Sequence, residues 1–250
     1  MDQKLEEEEL AEGTLLSHLI ELRSRLLIIA ISVVVVFICM LPFSRDIFTV
    51  ISDPLREVLP GNAMIATAVA SPLLTPFKLT FFAALFLVMP IVLFQVWTFI
   101  ARGLYKKEKR FAIPLFMTSI LLFYSGIAFA YFVVFPLMFG FFTSVAPEGV
   151  EVQTDIAQFL DFITTIVFAF GIAFEVPIAT VLVVWAGLTD IKKLGKARPY
   201  VFLMAFVAGM FLTPPDIISQ TLLAVPVYLL YELGIIMSKV FVNKKPADNE

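Results

Sequence analysis

The stretch Phe159-Leu-Asp-Phe-Ile-Thr-Thr-Ile-Val-Phe-Ala-Phe-Gly-Ile-Ala-Phe-Glu-Val-Pro-Ile-Ala-Thr-Val-Leu-Val-Val-Trp-Ala-Gly187 decides how this chain is read. It is long enough to cross a bilayer, which takes about 20 helical residues, yet it carries Glu175 well inside its apolar run. A charged side chain at the bilayer centre costs about 2.5–3.5 kcal/mol on insertion scales. Glu175 therefore faces other helices or a water-filled cavity, or it sits there protonated. Pro177 follows two residues later and has no amide hydrogen, so the carbonyl of Ala173 loses its helical partner. A bent helix with a polar spot in its middle is a candidate working surface. The plainer reading ties Glu175 to a neighbouring helix and gives it no further role.

Composition widens this to the whole chain. Of its 250 residues 60% are hydrophobic and only 16% charged, against about 25% charged in a soluble domain. The chain lacks the polar cover it would need in water and reads as an all-α, polytopic membrane protein. Its net charge of -3 averages over segregated charges. Glu6–Glu9 and Glu12 form an acidic start, and most basic residues lie in three short loops or tails. Cys39 is the sole cysteine, which excludes an intramolecular disulfide and a thiolate–metal cluster. The acidic N-terminus lacks the basic start and small-residue cleavage site of a signal peptide, so the first apolar segment is expected to stay as an anchor.

Taken in order, residues 1–13 read as an acidic mobile tail. Leu15, Leu19, Leu22 and Leu26 then recur at helical spacing, an amphipathic entry to the first span, Leu26 to Phe43. In the long connection 44–78, Asp53 reads as an N-cap with Pro54 at the first helical position, and Thr75-Pro76 repeats the device before the second span, Phe77 to Ala101. A third apolar run, Phe111 to Thr143, outspans the bilayer and must tilt, project into solvent or bend at Pro136. Asp155 with Gln158 resembles a capping box at the start of the fourth span. The last run, Tyr200 to Ser238, would reach about 58 Å as one helix; Thr213-Pro-Pro-Asp216 splits it into two short helices, with Asp216 capping the second. Six spans result. They form one membrane domain, 14–241, followed by a tail, 242–250.

The charges orient the spans. With the N-terminus inside, inner segments hold 15 of the 18 Lys and Arg residues, leaving Arg45, Arg56 and Lys78 outside. Both termini are then cytoplasmic, which an even number of spans requires.

Catalytic chemistry is scarce. His18 is the only histidine, and no nucleophile elbow, zinc-binding His-Glu-x-x-His or phosphate loop is present. An enzyme is not expected. Two carboxylates suit recognition instead: Glu21, where the amphipathic start meets the membrane, and Glu108, inside a loop of Arg102, Lys106, Lys107, Lys109 and Arg110. A carboxylate accepts two parallel hydrogen bonds from a guanidinium, which lysine cannot supply, so the pair would suit a ligand displaying neighbouring arginines. The alternative pairs Glu21 with Arg25 at i,i+4 and Glu108 with its basic neighbours.

Residues 14 to 241 resemble TatC, the multispanning core of the twin-arginine protein translocase. The match is carried by His18-Leu-Ile-Glu-Leu-Arg23, Met64-Ile-Ala-Thr67, Ala70-Ser-Pro72, Gln95-Val-Trp-x-Phe-Ile100, Leu104-Tyr-Lys-Lys-Glu-Lys-Arg110, Phe129-Ala-Tyr-Phe132, Phe174-Glu-Val-Pro177, Arg198-Pro-Tyr200 and Leu212-Thr-Pro-Pro-Asp216. The resemblance implies a concave, glove-like bundle with Glu175 as the polar residue of its membrane face. It implies that Glu21 and Glu108, with Arg23 and Phe99 in the same segments, bind the twin-arginine motif of signal peptides. Pro54 matches a functionally sensitive outer-loop position. Met210, Thr213 and Gln220 match a cluster where single-span TatA/TatB-type partners dock. It further implies a multi-pass protein of the bacterial cytoplasmic membrane, oligomeric within its translocase, driven by the proton-motive force, with no cofactor and no nucleic acid. Ala68 departs from the acidic residue expected in close relatives. The rival reading is a proton- or ion-coupled secondary transporter with Glu175 as its titrating group; it predicts an internal repeat, and none is convincing between the two halves.

Overall fold

The computed structural model describes residues 2–56, 64–102, 109–145, 147, 153–213 and 216–242. Among them the chain is helical throughout, and one isolated bridge, Ile65 with Asp155, is the only strand-like pairing. α1 (Asp2–Met40) begins within the acidic stretch and continues through the first apolar span. Its Leu26, Leu27, Ile31, Val34, Val35 and Ile38 stay exposed, an apolar surface too continuous for water and suited to lipid. The opposite face buries Val33 and packs Phe37 edge-on against Phe81 of α3.

Pro42 closes α1 with a single tight turn, Leu41–Phe43, and α2 (Ser44–Arg56) follows at once. The expectation that Asp53 caps a new helix is therefore corrected: Asp53-Pro54 lies inside a helix already running from Ser44. Without an amide hydrogen, Pro54 cannot bond the carbonyl of Val50, and the Tyr131 hydroxyl lies 3.4 Å from that oxygen. α3 (Ser71–Arg102) likewise starts a turn earlier than Thr75-Pro76 suggested. Ser71 and Leu74 donate to the carbonyls of Ala68 and Ala70, which sets the first turn before Pro76 is reached. Pro72 and Pro76 both fall within the first two turns, where a missing amide hydrogen costs the helix little.

The third apolar run is α4 (Lys109–Phe129), a π-helical turn (Ala130–Val134) and α5 (Phe135–Ser144). The bend foreseen at Pro136 takes the form of this wider turn. Proline's ring would collide with the carbonyl four residues back, and an extra residue in the preceding turn moves that carbonyl aside. The turn caps the main core: Ala130, Val134, Phe135, Met138 and Phe139 pack against Phe159, Ile163, Ile166, Val167 and Phe170.

Those last residues belong to α6 (Ile156–Ala173), and α7 (Val176–Trp185) continues it after a break at Phe174–Glu175. Asp155 caps α6 as its spacing indicated, accepting from the amides of Ala157 and Gln158 at 2.9 and 3.1 Å. Its other oxygen accepts from the amide and hydroxyl of Thr67 at 2.8 and 2.7 Å. These four bonds hold the carboxyl well down from its usual range, to about 2, the Thr67 hydroxyl contributing most.

α8 (Ile191–Leu212) and α9 (Ile217–Val242) form the closing hairpin, split where Thr213-Pro-Pro-Asp216 lies, and Asp216 accepts from the Ser219 amide at 2.7 Å. A bidentate Arg198–Glu232 pair, with Tyr228 on the same carboxylate, clamps the hairpin's open end. Five stretches are long and apolar enough to cross a membrane: Ile20–Ser52, Ser71–Phe99, Ile113–Ser144, Ile156–Trp185 and Ile217–Val240. α8, fifth in chain order, is the short span; α9, expected to be short as well, runs for 26 residues and is long enough to cross. Lys192, Lys193, Lys196 and Arg198 occupy the start of α8, leaving an apolar part, residues 200–212, of about 20 Å against a core of about 30 Å.

Candidate functional site

Two polar places interrupt this apolar bundle. At one end, α1 and α3 meet through Arg25, which is only 8% exposed. Its Nε and Nη2 donate to Oε1 of Glu21, one helical turn earlier, at 2.9 and 2.5 Å. Its Nη1 donates to the carbonyl and the side-chain Oε1 of Gln95 on α3 at 2.9 and 3.1 Å. Desolvating a guanidinium is costly unless its donors are matched, and this arrangement matches four of the five. Glu21 is thus fixed at a helix junction, with two guanidinium donors converging on its Oε1.

Phe99 lies one turn beyond Gln95 on α3 and is half-exposed beside this junction. Arg23 is exposed and lies roughly 200° around α1 from Glu21, so the structure does not bring it to the Arg25–Gln95 contact. Glu108 lies outside the described residues. Arg25 and Gln95 are the members that sequence reading missed as a pair. One signal was available: an amide side chain midway between apolar neighbours in a membrane helix requires a partner.

The second place is the break between α6 and α7. Ser119 of α4 donates to Oε2 of Glu175 at 2.6 Å, while Oε1 is buried without a partner among the described residues. Pro177 sits in the first turn of α7, and the Glu175 amide reaches only to Ile172, so the helix restarts instead of running through. A groove of about 520 Å³ opens nearby, lined by Phe82, Thr164, Phe168, Ile172, Leu212 and Leu223 of four helices.

At the α8–α9 turn, Thr213 is buried and its hydroxyl donates to the Gly209 carbonyl at 2.9 Å. Gly209 also abuts Gln220: a Cβ there would lie 3.5 Å from the Gln220 Cα. Thr213 and Gln220 are therefore gathered around one glycine, and Met210, beside it, points outward at 60% exposure. Pro54 lies in the last turn of α2. Among the described residues no group of three His, Cys, Asp or Glu side chains is placed to hold a metal ion.

The family model for the Sec-independent protein translocase protein TatC matches residues 17–226. The chain is 57% identical over 238 residues to the Sec-independent protein translocase protein TatC of Azotobacter chroococcum, covering 94% of this chain and 93% of that one. It is 56% identical over 231 residues to the protein of the same name from Escherichia coli K12, covering 92% and 90%. A solved crystal structure of a twin-arginine translocase receptor, TatC, superposes with a TM-score of 0.80 at 34% identity, covering 90% of this chain and 99% of that one. With fold and sequence agreeing over nearly its whole length, the chain belongs to the TatC family of protein translocase components, a non-enzymatic family of multi-pass membrane proteins.

Proposed function

We propose that this translocase subunit is the receptor and core scaffold that captures twin-arginine signal peptides of folded cargo. The observation that carries the reading is Glu21, a carboxylate seated at a helix junction and already accepting two bonds from a guanidinium. Both bonds converge on its Oε1, and a substrate arginine carries the same two-donor fork, which a lysine lacks. Glu108, in the sequence between α3 and α4, supplies the second carboxylate, and Phe99 an apolar surface beside the first. Arg23, exposed on the far side of α1, contributes from the surrounding surface.

The scaffold role follows from the other polar places. The apolar part of the signal peptide inserts along the face that carries Glu175. Single-span TatA/TatB-type partners dock at Met210, Thr213 and Gln220, where α8 is too short to fill the bilayer. Pro54 acts on the opposite rim by leaving the Val50 carbonyl to the Tyr131 hydroxyl. In this reading Glu21 and both termini face the cytoplasm, the membrane is the bacterial cytoplasmic one, several copies assemble, and the proton-motive force drives passage without a cofactor. Membership in a protein-translocase family disfavours the small-molecule transporter built on Glu175.

The test is binding of a signal peptide carrying Arg-Arg, against one carrying Lys-Lys, to the purified protein in detergent or lipid. The Arg-Arg peptide is expected to bind about tenfold or more tightly, the worth of one lost charge-assisted bond. Glu108→Ala should weaken its binding by a similar factor with no change in thermal stability. Equal binding of both peptides would overturn the receptor reading.

A further inference from the structure

Glu21 does not wait empty for its ligand: an arginine of its own helix is in place. We propose that Arg25 is a specificity-determining residue, the incumbent guanidinium that a substrate arginine displaces from Glu21. The inference rests on the receptor reading above and deepens it. Two features carry it. Arg25 is nearly buried, and it is held from two sides, by Glu21 of α1 and by two acceptors of Gln95 on α3.

The second hold decides what an exchange at Glu21 means. When Glu21 turns to a ligand, Arg25 keeps its bonds to the Gln95 carbonyl and amide oxygen and is not left bare in an apolar setting, where an unmatched charge is strongly unfavourable. An incoming arginine restores to Glu21 the planar fork it gives up, so the number of charge-assisted bonds is conserved. An incoming lysine brings a point charge that cannot reproduce two bonds fixed in one plane. Selectivity is then a difference between ligand and incumbent, not the absolute affinity of a carboxylate for cations. A bare Glu21 would attract any positive side chain; a Glu21 already neutralised by Arg25 exchanges only for an equal.

The experiment compares Arg-Arg and Lys-Lys signal peptides on the purified full chain, on Arg25→Lys and on Gln95→Glu, each variant first checked by thermal unfolding. In Arg25→Lys the incumbent is itself an ammonium, so the Lys-Lys peptide is expected to bind roughly tenfold more tightly than it does to the unaltered protein, and the preference for Arg-Arg to shrink by a similar factor. A residue with a merely structural role would weaken both peptides together. Gln95→Glu gives Arg25 a carboxylate of its own and draws it off Glu21; both peptides should then bind more tightly, the Lys-Lys peptide by the larger factor, so that the preference for Arg-Arg shrinks, and this variant carries the test if Arg25→Lys does not fold. A parallel loss of both peptides, or an unchanged preference in either variant, overturns the role of Arg25 while leaving the receptor reading intact. Absence of any Arg-Arg preference in the unaltered protein overturns both.

Discussion

Asp155 shows how much one side chain can join. Its two oxygens cap α6 and hold Thr67, so a helix start and a distant loop depend on the same charge. Because the folded carboxyl is lowered to about 2, its contribution is fully present above the ordinary carboxyl range and is lost as the pH falls through about 2. Followed by NMR, the Asp155 carboxyl should titrate near 2, and Asp155→Ala should speed hydrogen exchange at the amides of Thr67 and Gln158 together. A titration near 4 would show that the tie to Thr67 is not held in solution. The cap was legible in the sequence because it is local, a carboxylate two and three residues from the amides it serves. The hold on Thr67 was not, since its partners are 88 residues apart. The same division explains Arg25: its bond to Glu21 follows from i,i+4 spacing, and its bonds to Gln95, 70 residues away, follow only from how α1 and α3 pack.

At the level of helices, the apolar runs were legible and their interruptions only partly so. The break before Pro177 and the split at Thr213-Pro-Pro-Asp216 stand where the sequence put them. Asp53-Pro54 misled because capping residues before proline mark a helix start only when no helix is already running. What packs against what is decided by small residues the sequence did not single out. A Cβ on Gly126 would lie 2.5 Å from the Phe170 carbonyl oxygen, joining α4 to α6 at backbone distance. One on Gly234 would lie 2.9 Å from Pro177 Cα and Thr180 Cβ, where α9 seats on α7. Close approach of this kind is how membrane helices associate when lipid is as apolar as their side chains. Gly126→Val and Gly234→Val should each cost about 1–3 kcal/mol, read as lowered thermal stability in detergent; unchanged stability at either would mean that the helix pair can separate freely. Both contacts border Glu175, so they also fix the polar break that the proposed function uses.

Across the whole molecule, the all-helical architecture and the membrane class came from composition and run length, which are properties of the chain in any fold. The assignment of ends to one another came from tertiary structure alone. Thr67 lies ahead of α3 and Asp155 ahead of α6, and between them run two full membrane crossings. During synthesis the loop before α3 therefore has no lasting partner until α6 has emerged and inserted. Closing so long a loop is entropically unfavourable until the helices between have packed. The first half of the chain is then an unfinished object, stable in the bilayer by hydrophobicity but open at one rim. A chain stopped after α5 should leave the Thr67 amide exchanging freely, and one stopped after α6 should protect it. The order in which helices enter the membrane, and not their sequence alone, thus fixes when that rim is sealed, and quality control acting before α6 would meet a protein with that lip still untied.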